Sequence, residues 1–373
     1  MKKMITMILV LAVVLTALVG CGKDNSQEEA KTEAVTQGES QSASSGDSSD
    51  AADVSYSIDE NSKVGVLSML NMSEDSYSQK RKGLAVGSYY LYQQGLLKYT
   101  DENYVPEENT TLPVPEYYDS LDSMIMSLQS GDLKSIELTQ SIAQYVVSRN
   151  KNLQLTYTID VDAAEGFDSG VVERLSYGYA FLFKEDKSDL CEEFDVAIDE
   201  MEADGTLDSL KKDYINDIID GKVPEAVDFE KTDGDTVKVA ITGSLPPLDY
   251  VSPDGTPAGY NTAILAEIGK RIGKNIELVQ VDSIGRATAL SSGAVDVAFW
   301  TRGKASSKPG ETNEEHEAFV KEQQKNQTEE QTKLMESMRG PGSYEDSNHL
   351  DMPMGTICTR PYFRDPITIV EIK

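Results

Sequence analysis

Histidine is almost missing from this chain. Of 373 residues only His316 and His349 carry an imidazole, and both sit in a polar, charged stretch. A Ser/His/Asp or Cys/His arrangement therefore cannot be placed on strand ends, where such chemistry is usually mounted. Cysteine is as scarce: Cys21, Cys191 and Cys358 are the full set. Three cysteines exclude a disulfide framework. Cys191 and Cys358 read as buried apolar side chains, with a single bridge between them as the alternative. Basic residues are in deficit, 34 against 64 acidic ones, for a formal charge of −30. That balance argues against nucleic acid or an anionic lipid surface as partner and says little about a small ligand. Metal-ligand spacing, a phosphate loop and a dinucleotide fingerprint are all lacking, so neither a cofactor nor an enzyme activity is expected.

The apolar run that does stand out is at the start. Lys2 and Lys3 precede an apolar Met4–Leu18, which ends in Leu18-Val19-Gly20-Cys21. This order is that of a secretory signal over residues 1–20, and its small residues before a cysteine resemble the bacterial lipobox. The resemblance implies cleavage before Cys21, lipidation of its thiol with fatty acids such as palmitate, and attachment to the extracytoplasmic face of the cell membrane. A plain transmembrane anchor is the alternative, but the run is barely as long as a minimal span and lacks a basic stop-transfer flank. Residues 21–58 are dominated by Ser, Glu, Asp, Ala, Gln and Thr, too polar to bury a core, and read as a disordered acidic tether.

Val237–Trp300 alternates in type. VKVAIT is a β-branched strand, GSLPPLDYVSPDGTPAGYN a Pro/Gly-rich loop, and Thr262–Ile272 has apolar residues at helical spacing. IELVQV is a second strand, Ala287–Ser292 a short helix and Ala294–Trp300 a third strand. Such alternation implies an α/β fold with a parallel sheet and crossover helices. The motifs PPLDY, DGTPAGYN and SSGAVDVAF resemble the N-terminal lobe of the bacterial family 3 extracellular solute-binding proteins, a type II periplasmic-binding-protein fold. In that family these motifs open the mature chain, whereas here they follow residue 236.

The remaining segments resemble the rest of that family out of order. KVGVLSML and MSLQSGDLKSIELTQSIAQYVVSRN are similar to lobe two, YGYAFLFKEDKSDLCEEFDVAIDEMEADGTLDSLKKDYI to the C-terminal part of lobe one, and TRPYFRDPITIVEIK to the outward hinge. The resemblance implies one two-lobed domain, circularly permuted, of mixed sheets flanked by helices. Lobe two would occupy 59–175, the C-terminal part of lobe one 176–222, a linker 223–235, and the N-terminal part of lobe one 236–303. A helical insertion over 304–355 and a hinge segment over 356–373 complete it. Permutation is tolerated when the original termini lie close together at a surface. Two separate truncated domains are the competing reading, but each would expose a half-sheet edge.

Ligands gather at the carboxyl ends of strands in such sheets. The candidate ligand-binding residues are therefore Leu245 and Tyr250 after the first strand, Trp300, Thr301 and Arg302 on the third, and Asn71, Ser73, Thr139 and Gln140 on the other lobe. Ser73 is placed to cap a following helix and free backbone N–H groups for an anion. Arg302 beside an aromatic residue suits a carboxylate or planar group. The sequence departs from amino-acid-binding members, because WTRGKASS replaces their Thr/Arg pair and Thr139 or Gln140 stands where an aspartate is expected. The expected function is a lipid-anchored receptor that hands a small polar, amino-acid-like solute to an ATP-binding-cassette permease. The alternative is a surface sensor or scaffold with a degenerate cleft that recognises a protein.

Overall fold

The computed structural model describes residues 56–302 (apart from 71–73, 107–109, 224–225, 253 and 284), then 318, 321, 325–338 and 353–373. Cys21, the signal segment, nearly all of the expected tether, and Asn71 and Ser73 lie outside these residues.

The first half begins with β1 (Tyr56–Leu67), which starts three residues inside the expected tether. It continues through α1 (Glu74–Gln93), β2 (Leu97–Tyr99), β3 (Thr110–Tyr118), α2 (Leu121–Ser130), β4 (Ser135–Thr139), α3 (Gln140–Arg149), β5 (Leu153–Leu155), β6 (Tyr157–Ile159) and α4 (Phe167–Arg174). Local chemistry sets the limits of α2. Ser120 accepts a hydrogen bond from the Ser123 N–H at one end, and Gly131, at φ 86°, takes the left-handed cap at the other. Next come β7 (Ser176–Lys184), α5 (Ser188–Ala203), α6 (Thr206–Lys211) and a wider helical turn that ends with α7 (Asp217–Ile219).

The second half is the segment read as strand–loop–helix. It forms β8 (Thr236–Ile241), the small hairpin strands β9 (Ser244–Leu245), β10 (Asp249–Val251) and β11 (Pro257–Ala258), then α8 (Tyr260–Ile272), β12 (Asn275–Gln280), α9 (Gly285–Ser291) and β13 (Val297–Arg302). Gly259, at φ 107°, brings its backbone so close that a Cβ would stand 2.5 Å from the Leu248 carbonyl, so only glycine fits this corner before α8. β14 (Thr356–Cys358) and β15 (Phe363–Ile372) close the chain. Within the expected helical insertion over 304–355, the described residues include a helix, Glu329–Ser337, opened by a Thr328–Gln331 capping box.

Ten of these strands form one sheet in the order β12-β8-β13-β7-β15-β4-β1-β3, with β14 added on β7 and β5 on β15, while β9, β10 and β11 form a small sheet of their own and β2 pairs with β6. β12, β8 and β13 run parallel, as do β4, β1 and β3. Between the two parallel sets run β7 and β15, antiparallel to each other and to their outer neighbours. Thus β7 carries Arg302 opposite Gly178 on one side and Phe363 opposite Tyr179 on the other. The segments 237–300 and 177–184 share this sheet, and α8 packs against α5 and α6. β7 is buried along nearly its whole length, as a strand flanked on both edges and both faces must be. Phe181, Phe183, Phe194, Phe299 and Tyr362 pack ring to ring around it. Cys191 and Cys358 are buried in different apolar clusters and are not joined by a disulfide.

Candidate functional site

The carboxyl ends of β8 and β13 converge on a small, partly open cavity of about 20 Å³, room for about one water-sized group. Its walls come from both parallel sets. Leu70, just after β1, faces Leu245, Phe299, Trp300 and Thr301, while Tyr179 of β7 closes the floor. Thr301 Oγ1 donates to the Leu70 carbonyl at 2.7 Å, which fastens the two sets together at this point.

Three polar side chains complete the wall. Asp249, 2 % exposed, accepts from the Thr242 N–H and hydroxyl, both at 2.9 Å, and from the Gly243 N–H at 3.2 Å. Burial pushes its carboxyl above the usual range, opposed by those donors and by the nearby Arg286. Arg286, 3 % exposed, donates from Nη1 to the Phe299 carbonyl at 2.9 Å and lies 5.1 Å from the Trp300 ring centre. A guanidinium over an indole is held by the ring's quadrupole, and more strongly when both are desolvated. Burial lowers its pKa to about 10, with Asp249 pulling the other way. Asn261, in the first turn of α8, is 2 % exposed, and its Oδ1 has no hydrogen-bond partner.

Beneath the cavity lies a second polar group, at the junction of the two antiparallel strands. Thr139 Oγ1 and the Tyr179 hydroxyl are hydrogen-bonded at 3.1 Å. The Ser141 N–H donates to both oxygens of Asp365 at 3.1 Å, so a carboxylate on β15 caps α3. Burial, foremost, raises the Asp365 carboxyl to about 6, with the Thr139 and Ser141 donors opposing.

Of the residues singled out from sequence, Leu245, Trp300 and Thr301 line the cavity. Thr139 is buried but one hydrogen bond removed from it, behind Tyr179. Gln140 is the first residue of α3 instead of a strand end, and its amide is engaged on both sides with the Ile159 backbone, at 2.8 and 3.1 Å. Tyr250 is half-buried on β10, where burial foremost raises its phenol, with the neighbouring phenols of Tyr145 and Tyr214 adding to the shift and Arg149 opposing it. Arg302 ends β13, and its backbone pairs with Gly178. Sequence reasoning missed Asp249, Asn261, Arg286 and Tyr179. The aspartate was visible inside PPLDY, whereas an arginine in a short helix reads as a solvated residue until Trp300 is seen above it.

Among the described residues no group of three or more His, Cys, Asp or Glu side chains is placed to hold a metal ion, and no helix is long and apolar enough to cross a membrane.

Residues 237–307 match the family of bacterial extracellular solute-binding proteins, family 3. The match covers β8 to β13, the segment that supplies most of the cavity wall, and the family is one of solute receptors, not enzymes. No curated protein matches the chain. Solved structures similar to it include the ligand-binding component of an ABC-type import system from Staphylococcus aureus with zinc bound, at 9 % identity and a TM-score of 0.32, covering 85 % of this chain and 66 % of that one. The GluR0 ligand-binding core in complex with L-glutamate gives 9 % and 0.31, covering 83 % and 84 %. An ancestral arginine-binding protein bound to arginine gives 13 % and 0.29, with the same coverages. The chain therefore spans just under two thirds of the first of these.

Proposed function

We propose that this chain is an extracytoplasmic solute receptor of an ATP-binding-cassette importer, lipid-anchored through Cys21, that closes its two strand sets on a small polar, amino-acid-like solute. The observation that carries the reading is the cavity at the strand ends, walled by Leu70 from one parallel set and by Thr301, Trp300 and Arg286 from the other. The two antiparallel strands beneath it, β7 and β15, are the links about which the sets would part and close. In this reading the chain is a permuted receptor. Residues 59–175 form lobe two, 176–222 and 236–303 lobe one with a linker at 223–235, and 356–373 the hinge strand. Arg302, next along β13 after Trp300 and Thr301, recognises an anionic or strongly hydrogen-bonding group of the solute, and Tyr250 guards the mouth.

The size of the cavity, about 20 Å³, favours a second reading, a sensor or scaffold whose cleft takes a protein partner instead of a solute. Thermal melting of the full-length protein against a pool of amino acids, small peptides and polyamines separates the two. A solute that binds only the folded state at one hundred times its Kd stabilises by about 2.7 kcal/mol. A shift of that order supports the receptor, and no shift with any solute class supports the scaffold.

A further inference from the structure

The reading as a solute receptor leaves open which part of a solute the small cavity takes, and its wall answers that. Asn261 lines the cavity, and its buried Oδ1 lacks a donor. A buried acceptor left this way is unfavourable unless some group supplies a hydrogen. The two charges in the same wall are of opposite sign and are already engaged. The Asp249 oxygens receive Thr242 and Gly243, and Arg286 holds the Phe299 carbonyl and the Trp300 ring. Asp249 and Arg286 also offset each other's charge, so an ammonium would be desolvated beside Arg286 and a carboxylate beside Asp249 with no counter-charge left over. The room available, about 20 Å³, fits one water-sized group.

We infer that the cavity walled by Asn261 is the anchor subsite for an uncharged hydrogen-bond donor on the solute, a hydroxyl or the NH₂ end of a carboxamide. The inference rests on the receptor reading and refines it. Arg302 would take the carboxylate of an amino-acid-like solute, and Asn261 the tip of its side chain. Asn261 is then a specificity-determining residue. A site built to accept from a hydroxyl or amide discriminates against an analogue without one, because the acceptor is left unpaired when that analogue binds.

The test uses the full-length protein and matched solutes, L-serine against L-alanine and L-glutamine against L-glutamate, followed by thermal shift and by the fluorescence of Trp300, the one tryptophan of the chain. In the parent, serine and glutamine should bind about tenfold or more tighter than their partners. Asn261→Leu, which removes the acceptor at similar volume, should abolish that preference. It should leave the melting temperature of the solute-free protein unchanged or raise it by about 1–3 °C, because an unpaired acceptor is removed. Asn261→Ala, which cannot clash, should lose the same preference. A purely structural asparagine would instead melt lower as leucine and keep the preference. Binding of alanine or glutamate as tight as that of their partners, or a preference that survives Asn261→Leu, overturns the subsite and leaves the receptor reading standing. If no solute of any class binds the parent, the receptor reading fails and the subsite with it.

Discussion

Thr301, near the end of β13, the strand of one parallel set that borders β7, donates its hydroxyl hydrogen to the backbone carbonyl of Leu70 in the other at 2.7 Å. This bond spans the line along which the two sets meet. It also adjoins Trp300, which is 6 % exposed and is the chain's only tryptophan, so fluorescence reports directly on the junction.

Thr301→Val should loosen the junction with little change in volume. The Leu70 carbonyl loses its donor at a buried position, for a destabilisation of about 1–3 kcal/mol. Acrylamide should quench Trp300 more strongly in the variant than in the parent. Equal quenching would show that the bond does not hold the sets together.

Asp365 gives the fold a defined pH dependence. Burial raises its carboxyl from 3.8 to about 6, so the folded chain holds this proton more tightly than the unfolded one. The contribution is most favourable below about pH 4 and is lost as pH rises through 6, on the order of 3 kcal/mol in total. In Asp365→Asn this component should vanish while an oxygen remains to accept from Ser141. Urea midpoints at pH 4.5 and 7 should therefore show the variant gaining on the parent as pH rises. A constant difference between the two would contradict the assignment.

Arg286→Ala should be severe because the residue is almost wholly buried. It leaves the Asp249 charge without its nearby cation, the Phe299 carbonyl without a donor and Trp300 without its cover. Removing one member of a buried charge arrangement costs about 3–5 kcal/mol, and a loss under about 1 kcal/mol would show the guanidinium to be solvated.

Much of the sheet was legible. VKVAIT, IELVQV and VDVAFW are strands because β-branched and aromatic residues crowd them, and glycine or proline marks the breaks on either side. The joining of 237–300 to 177–184 also followed, since each set alone would leave an unpaired edge. The polar wall was not legible. Arg286 and Asn261 occupy helix positions that are solvated in most helices, and only the approach of β13 and of the 242–249 loop buries them. Gln140 was misplaced because a strand that runs straight into a helix carries no glycine or proline at the join. Thr139 closes the strand and Gln140 already belongs to α3.

Expressed apart, fragments 55–222 and 233–373 should fold poorly and recover structure on mixing. β7 pairs with β13 from Phe183–Val297 to Gly178–Arg302, and splitting the chain strips that edge from both pieces. Independent cooperative melting of each fragment at the full-length temperature would mean two domains.

Cys21→Ala should release the protein from the membrane fraction and abolish incorporation of labelled palmitate. Unchanged attachment would remove the lipid anchor from the account.

The most direct test of the central claim is a titration of Trp300 fluorescence in the full-length protein with each solute that raises its melting temperature, repeated in Arg302→Ala. The account predicts a saturable change in the parent and about tenfold or more weaker binding in the variant, at an unchanged melting temperature without solute. A solute that binds without altering Trp300, or equal affinity in parent and variant, would contradict a cleft closed by β13.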